Sequence, residues 1–263
     1  SQVLTMVQID DIRKKLTETW STHCPIAPTV EEVQQFVNQS QILDHAENTN
    51  LRTVIFSYHD FSIHHINVGT ARYFGSHPEE IIEHGSNYII NCVNPRQAAA
   101  AVNNTAPIQE ILYKSDPEIW KHYHASYVNC NITCQRGNQH RSLFHAFPVM
   151  YDKNGYPMMG MFLIYDLEPF MAGGVWWYRY KLGDRIFLYH YLEGHLQETD
   201  ILSPRELETL VLISQGASSK EIAAELFLSV NTVDNHRRNM LKKTGAVDTS
   251  ALIYLCKLCQ IIE

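Results

Sequence analysis

Apolar positions recur in several textures along the chain. Ile9, Ile12, Leu16 and Trp20 fall near helical spacing and form one stripe. His23-Cys24-Pro25 through Pro28 breaks it. Thr29 with Glu32 three residues later is a capping box that opens a second helix. Val33, Phe36, Val37 and Leu43 line its apolar side, and polar His45 to Asn50 ends it. From Thr53 the texture shortens. Thr53 to Tyr58 and Ser62 to Asn67 predict two strands, with His59-Asp60-Phe61 as a tight connection. Val68 to Glu83 returns to helical spacing, punctuated by Gly75 and Pro78. Asn94 to Ser115 predicts a helix broken at Pro107. Three strand-like runs follow, Ala125 to Cys134, His140 to Met150 and Tyr156 to Leu167. Gly137-Asn138 and Asp152 to Gly155 are the hairpin turns between them.

Two strands, a helical crossover and a three-strand meander make an α+β order. It predicts a five-stranded antiparallel sheet with helices on one side. The stretch Arg72-Tyr73-Phe74-Gly75-Ser76-His77-Pro78-Glu79-Glu80-Ile81-Ile82 adds a pattern of aromatic, glycine, polar, glutamate and hydrophobic residues. Order and stretch together resemble a PAS domain over residues 51–170. Asn94-Pro95 departs from that family's histidine-proline-aspartate step. The resemblance implies a module that senses a small-molecule ligand in a pocket, or one that dimerises around a filled core. Tyr127, Phe144 and Phe162 are pocket candidates that serve a core equally well.

Residues 171–198 follow Gly173-Gly174 as a joint. Trp176, Trp177, Tyr178, Tyr180, Phe187, Tyr189 and Tyr191 crowd this connector. A hairpin turning at Lys181 to Asp184 and an aromatic helix both fit the pattern. That much aromatic surface predicts packing against another domain or chain.

The last 65 positions are the most patterned, with a helix signal at each step. Ser203-Pro204-Arg205-Glu206 combines a serine cap, a first-position proline and a third-position glutamate. Leu207, Leu210, Val211 and Ser214 continue one face, and Gly216 ends it. Ser218-Ser219-Lys220-Glu221 is a second capping box, with Ile222, Ala223 and Leu226 facing inward. Ser229 caps a third helix holding Val230, Val233, Met240 and Leu241, closed by Gly245. Asp248 opens a fourth with Leu252, Leu255, Cys256, Cys259 and Ile262. The second and third, separated by Phe227-Leu228-Ser229, form a helix-turn-helix.

On the third helix Val233 and Met240 point inward, which leaves Asn231, Asn235, Arg238 and Lys242 on the far side. Asparagine pairs bidentately with adenine and arginine with guanine, and Asp234, which flanks the stripe, either accepts from a cytosine amino group or repels the DNA backbone. Asn231, Asp234, Asn235 and Arg238 are therefore the candidate base contacts. Lys220, Thr232, Arg237, Lys242 and Lys243 are the candidate phosphate contacts.

The sequence Leu202-Ser203-Pro204-Arg205-Glu206, then Gly216-x-Ser218-Ser219-Lys220-Glu221-Ile222-Ala223, then Leu226-x-Leu228-Ser229-Val230-x-Thr232-Val233-x-x-His236-Arg237-x-Asn239-Met240-Leu241-x-Lys243-x-Gly245 closely resembles the LuxR-type helix-turn-helix of bacterial transcription regulators. The resemblance implies sequence-specific binding of double-stranded DNA by a homodimer. The fourth helix, Asp248 to Ile262, is then the expected dimer contact, and RNA polymerase a further expected partner. The resulting organisation is a helical segment at 1–50, a PAS-like domain at 51–170, a connector at 171–198 and a DNA-binding domain at 199–263. A protein-interaction module that recruits a partner through the PAS-like region is the alternative.

Charge qualifies the DNA reading. The 263 residues carry a net charge of -7, which excludes a globally basic nucleic-acid binder. From Thr199 onward seven basic residues meet eight acidic ones. From Ser229 to Lys243, however, four basic residues face one acidic, so binding should rest on one helix face. At 45% hydrophobic and 19% charged residues the composition is globular, with no apolar run of membrane-spanning length. A cytoplasmic protein with reduced, buried cysteines is expected. The 14 histidines show no metal-ligand spacing, so neither metal nor haem is expected, and no resident cofactor is called for. No nucleophile elbow, phosphate loop or paired carboxylate supports an enzyme.

Overall fold

Thr29 opens the first described helix as its sequence demands. In the computed structural model, which describes residues 26–114, 123–134 and 137–263 with Lys14, Glu18 and Ser21, Thr29 caps α1 (Val30–Gln39). Its hydroxyl accepts from the Glu32 N–H, and the Glu32 carboxylate accepts from the Thr29 N–H at 2.8 Å. The stripe from Ile9 to Trp20 lies outside the described residues. Leu43 does not continue α1. Ser40 is extended, and a separate helix α2 (Gln41–Glu47) carries Leu43.

The chain divides into two compact units, Ser1–Asp166 with Tyr180–Ile186, and Leu167–Arg179 with Phe187–Glu263. The first is built on β1 (Arg52–Ser57), β2 (Ile63–Ile66), β3 (Tyr123–Thr133), β4 (Gln139–Tyr151) and β5 (Pro157–Asp166). The pairs β1–β2, β1–β5, β4–β5 and β3–β4 are all antiparallel. Val54, Phe144 and Ile164 lie under α3 (Val68–Tyr73), α4 (Pro78–His84) and α5 (Ser86–Cys92), packed with Phe74, Ile81 and Ile89. Ile55, Met159 and Met161 face the other way and pack with Val33 and Leu43 of α1 and α2. Helices therefore cover both faces, not one. In β1, Thr53 to Ser57 are buried without interruption, so neither face of that strand is left to water.

Two further expectations are corrected. The helix α6 (Pro95–Tyr113) runs through Pro107 without ending there. The proline removes one backbone donor and leaves the turns on either side their own hydrogen bonds. The sheet holds eight strands rather than five, in the order β2-β1-β5-β4-β3-β6-β7-β8. The added strands are β6 (Trp177–Leu182), β7 (Arg185–His190) and β8 (Leu196–Gln197). Of the two forms that suited the aromatic stretch, the hairpin is adopted. It turns at Gly183-Asp184, where Gly183 has a φ of 58°, a conformation glycine reaches without a Cβ clash.

The second unit carries α7 (Pro204–Ser214), α8 (Ser219–Glu225), α9 (Val230–Thr244) and α10 (Thr249–Leu258). Serine capping boxes open α7 and α8, Ser229 caps α9 and Asp248 caps α10. The buried stripe of α7 is Glu206, Thr209, Leu210 and Ile213, rotated from the expected Leu207, Leu210 and Val211. Ile222, Ala223, Val233, Met240, Leu252, Leu255 and Cys256 complete the core. No described helix is long and apolar enough to cross a membrane.

Candidate nucleic-acid interface

The outward face of α9 follows from its inward one. Val233 and Met240 are fully buried, so a period of about 3.6 residues per turn drives the opposite stripe into water. Asn231, Asn235, Arg238 and Lys242 are all exposed and share that stripe. Arg238 Nη2 donates to Asn235 Oδ1, which joins two of the four across one turn and leaves the Asn235 amide N–H groups facing out. Asp234 is exposed too, but its Oδ1 accepts from Ser219 Oγ at 2.8 Å, a brace from α8 to α9.

The candidate phosphate contacts divide by geometry. Lys220 and Lys242 are exposed, the first in the opening turn of α8. Thr232 is half-buried. Its hydroxyl lies 2.8 Å from that of Ser229, which caps the helix by accepting from the Thr232 N–H. Arg237 is half-buried, and its Nη2 donates to Ala217 O at 3.4 Å in the turn before α8. Lys243 donates to Glu206 Oε2 at 2.6 Å, with the lysine side chain 43% exposed and the glutamate 4%. Burial pushes the Glu206 carboxyl up, yet the hydrogen bonds from Lys243 and Ser203 outweigh it and hold it below its ordinary value. Phe227, in the turn before α9, has a φ of 57° and is 95% exposed.

Residues outside the helical region hold the far end of α9. An α-helix leaves its last carbonyls without intrahelical partners. Here Trp177 Nε1 donates to Thr244 O and His190 Nε2 to Lys243 O, each at 3.1 Å. Ala172 N donates to Gly245 O at 2.9 Å and Val247 N to Phe170 O at 3.0 Å. Arg179, 1% exposed, forms a two-pronged pair with Asp200 at 2.8 Å on both prongs and donates to Cys259 O at 3.0 Å. Sequence pattern pointed to aromatic packing in this stretch but named none of these partners, which lie 21 to 80 positions away.

The pocket candidates of the first unit do not converge. Phe144 and Phe162 meet edge to face, with ring centroids 5.8 Å apart. Tyr127 is buried against His145 at 4.6 Å, and the pairing of Tyr127 with His145 and Val128 with Phe144 puts Tyr127 on the opposite face. Among the described residues no three histidine, cysteine or acidic side chains gather as a metal site. Cys92, Cys130, Cys134, Cys256 and Cys259 are free and buried.

Comparison with known proteins bears on the second unit. Residues 200–256 match the sequence profile of bacterial regulatory proteins of the luxR family. A stretch of 63 residues, 24% of this chain, is 47% identical to the oxygen regulatory protein NreC of Staphylococcus aureus, in strains JH9 and JH1 alike. That stretch spans 29% of NreC. Among solved structures, the VqmA–ligand–DNA complex from Vibrio cholerae shares 19% identity over 87% of this chain and 86% of that one, with a TM-score of 0.30. A phage VqmA–DPO complex shares 13% identity over 86% and 90%, at 0.28. Likenesses at these scores fix neither fold nor ligand. The profile match does fix the C-terminal region as a LuxR-type helix-turn-helix domain, and its family is one of regulators.

Proposed function

We propose that the chain is a cytoplasmic, sequence-specific DNA-binding transcription regulator acting as a homodimer. The domain at 199–263 presents α9 to the major groove. Asn231, Asn235 and Arg238 reach base edges, and Asp234, steadied by Ser219, flanks them. Lys220, Thr232, Arg237 and Lys242 meet phosphates, and Lys243 adds its solvent face while it holds Glu206. One observation carries this reading: four basic residues against one acidic over Ser229 to Lys243, with the polar stripe exposed. So few cations per chain bind weakly, and two copies reading half-sites about one helical turn apart supply the rest.

The region 51–170 acts in this reading as a PAS-like sensor or dimerisation module. The strand order β2-β1-β5-β4-β3 and the crossover of three short helices and the longer α6 support it. A signal there would change the spacing or accessibility of the two recognition helices.

Titrating a fluorescent duplex with the full chain at two salt concentrations tests the DNA reading. A regulator loses affinity steeply as salt rises. No binding at low salt would shift the function to partner recruitment by the first unit.

A further inference from the structure

The β6–β7 hairpin grips the end of the recognition helix through two side chains that stand opposite each other. Tyr191 N donates to Trp176 O at 3.2 Å, which with the turn at Gly183-Asp184 sets Trp177 across from His190. Both point to α9 and are buried, Trp177 completely and His190 to 9% exposure. Each donates to one of the two last carbonyls of the helix, Thr244 O and Lys243 O.

Both ring nitrogens are engaged: Nε2 donates to Lys243 O, since a carbonyl only accepts, and Leu192 N donates to Nδ1 at 3.4 Å. The backbone adds a short antiparallel bridge, Met171 with Ala246, directly after the helix. Gly245 admits it closely, since a Cβ there would lie 2.9 Å from Val175 Cβ. The Phe170 and Tyr254 rings stack at 4.4 Å behind it.

This grip is confined to one end. The base-reading residues lie on the first two and a half turns, about 8 to 19 Å along the axis from the clamped carbonyls at about 1.5 Å per residue. The first half of α9 is braced to α8 by Ser219 with Asp234 and by Arg237 with Ala217 O, so a change at the clamped end turns α8 and α9 together. A small change of angle there displaces Asn231 and Asn235 most.

We propose that Trp177 and His190 are positioning residues for sequence reading, setting the angle at which α9 meets the groove without touching DNA. This rests on the DNA-binding function proposed above. Base-edge hydrogen bonds are short and directional, so they fail on misalignment, whereas charge-driven contact with phosphates tolerates it. Losing either donor should therefore weaken specific binding and spare non-specific binding.

The test uses the full chain. A preferred duplex is first selected in vitro with the unmodified protein. Affinity for it and for a scrambled duplex is then measured for W177F, H190F and H190Q, with circular dichroism melts alongside. W177F and H190F should lose roughly three- to tenfold on the preferred duplex, the span of one neutral hydrogen bond. They should change less than about twofold on the scrambled one. H190Q, whose amide N–H can reach Lys243 O, should recover most of the loss, which a merely space-filling role would not predict.

Unchanged affinities on both duplexes, in variants that melt as the parent does, would overturn the proposal. So would equal losses on both duplexes, which mark Trp177 and His190 as general scaffolding. If W177F does not fold, 3-benzothienylalanine placed at 177 removes only the N–H and keeps the packing, and the same outcomes decide. A parent chain that selects no duplex overturns the DNA-binding function itself and this proposal with it. Selection by the parent with indifferent variants overturns the positioning role alone.

Discussion

Lys243, at the end of α9, donates to Glu206, in the first turn of α7, at 2.6 Å. Glu206 also closes the capping box of its own helix by accepting from the Ser203 N–H at 2.8 Å. One carboxylate thus starts one helix and anchors the end of another. E206Q keeps a capping group and removes the charge.

The pH dependence of that variant follows from the direction of the Glu206 shift. Its carboxyl titrates below the ordinary 4.5 in the folded protein, so its contribution is complete above that value. It is lost as pH falls through the folded value. E206Q should cost about 1 kcal/mol near pH 7, since the lysine is partly exposed and screened. Urea unfolding at pH 7 and at pH 3.5 checks this: the gap between parent and variant should narrow at the lower pH. A constant gap would remove the charge from the explanation.

Arg179 should be the more costly loss. Its side chain is 1% exposed and shared between the Asp200 carboxylate and Cys259 O. R179A leaves both acceptors without it and should destabilise the second unit by about 3–5 kcal/mol. R179M with D200L keeps the volume, buries no lone charge and should recover part of the loss. Denaturant melts of the three proteins decide, and a double variant no better than R179A would contradict the account.

Two glycines separate backbone strain from crowding. Gly216 and Gly245 have φ values of 92° and 82°. A Cβ at Gly216 meets nothing within 4 Å, but at Gly245 it meets Val175 Cβ at 2.9 Å and Met171 Cε at 3.0 Å. G216A should cost about 1–2 kcal/mol, the left-handed penalty alone. G245A should cost more, because the 171–175 segment beside α9 must shift. Equal losses in thermal melts would mean that segment does not pack where the structure has it.

The parts of this fold legible in sequence are those whose causes are local. Thr29, Ser203, Ser218, Ser229 and Asp248 each cap the helix their position announced, because a cap needs partners only two or three residues away. The outward stripe of α9 follows from Val233 and Met240 alone. Glu206 looked like nothing more than a capping residue, since its second partner lies 37 positions on. Trp177, Arg179 and His190 carry no periodic signal that names a carbonyl on a distant helix. The second covering layer of the sheet was hidden for the same reason: α1 looks amphipathic in isolation, and its face does not say what it covers.

The most direct of these compares R238A and K242A with the unmodified full chain on a selected duplex and on a scrambled one, at two salt concentrations. The account predicts that R238A loses preference among sequences, about 1–3 kcal/mol at one base position, and that K242A weakens both duplexes alike and flattens the salt dependence. If neither substitution changes binding to either duplex, α9 does not face DNA, and the central claim is wrong.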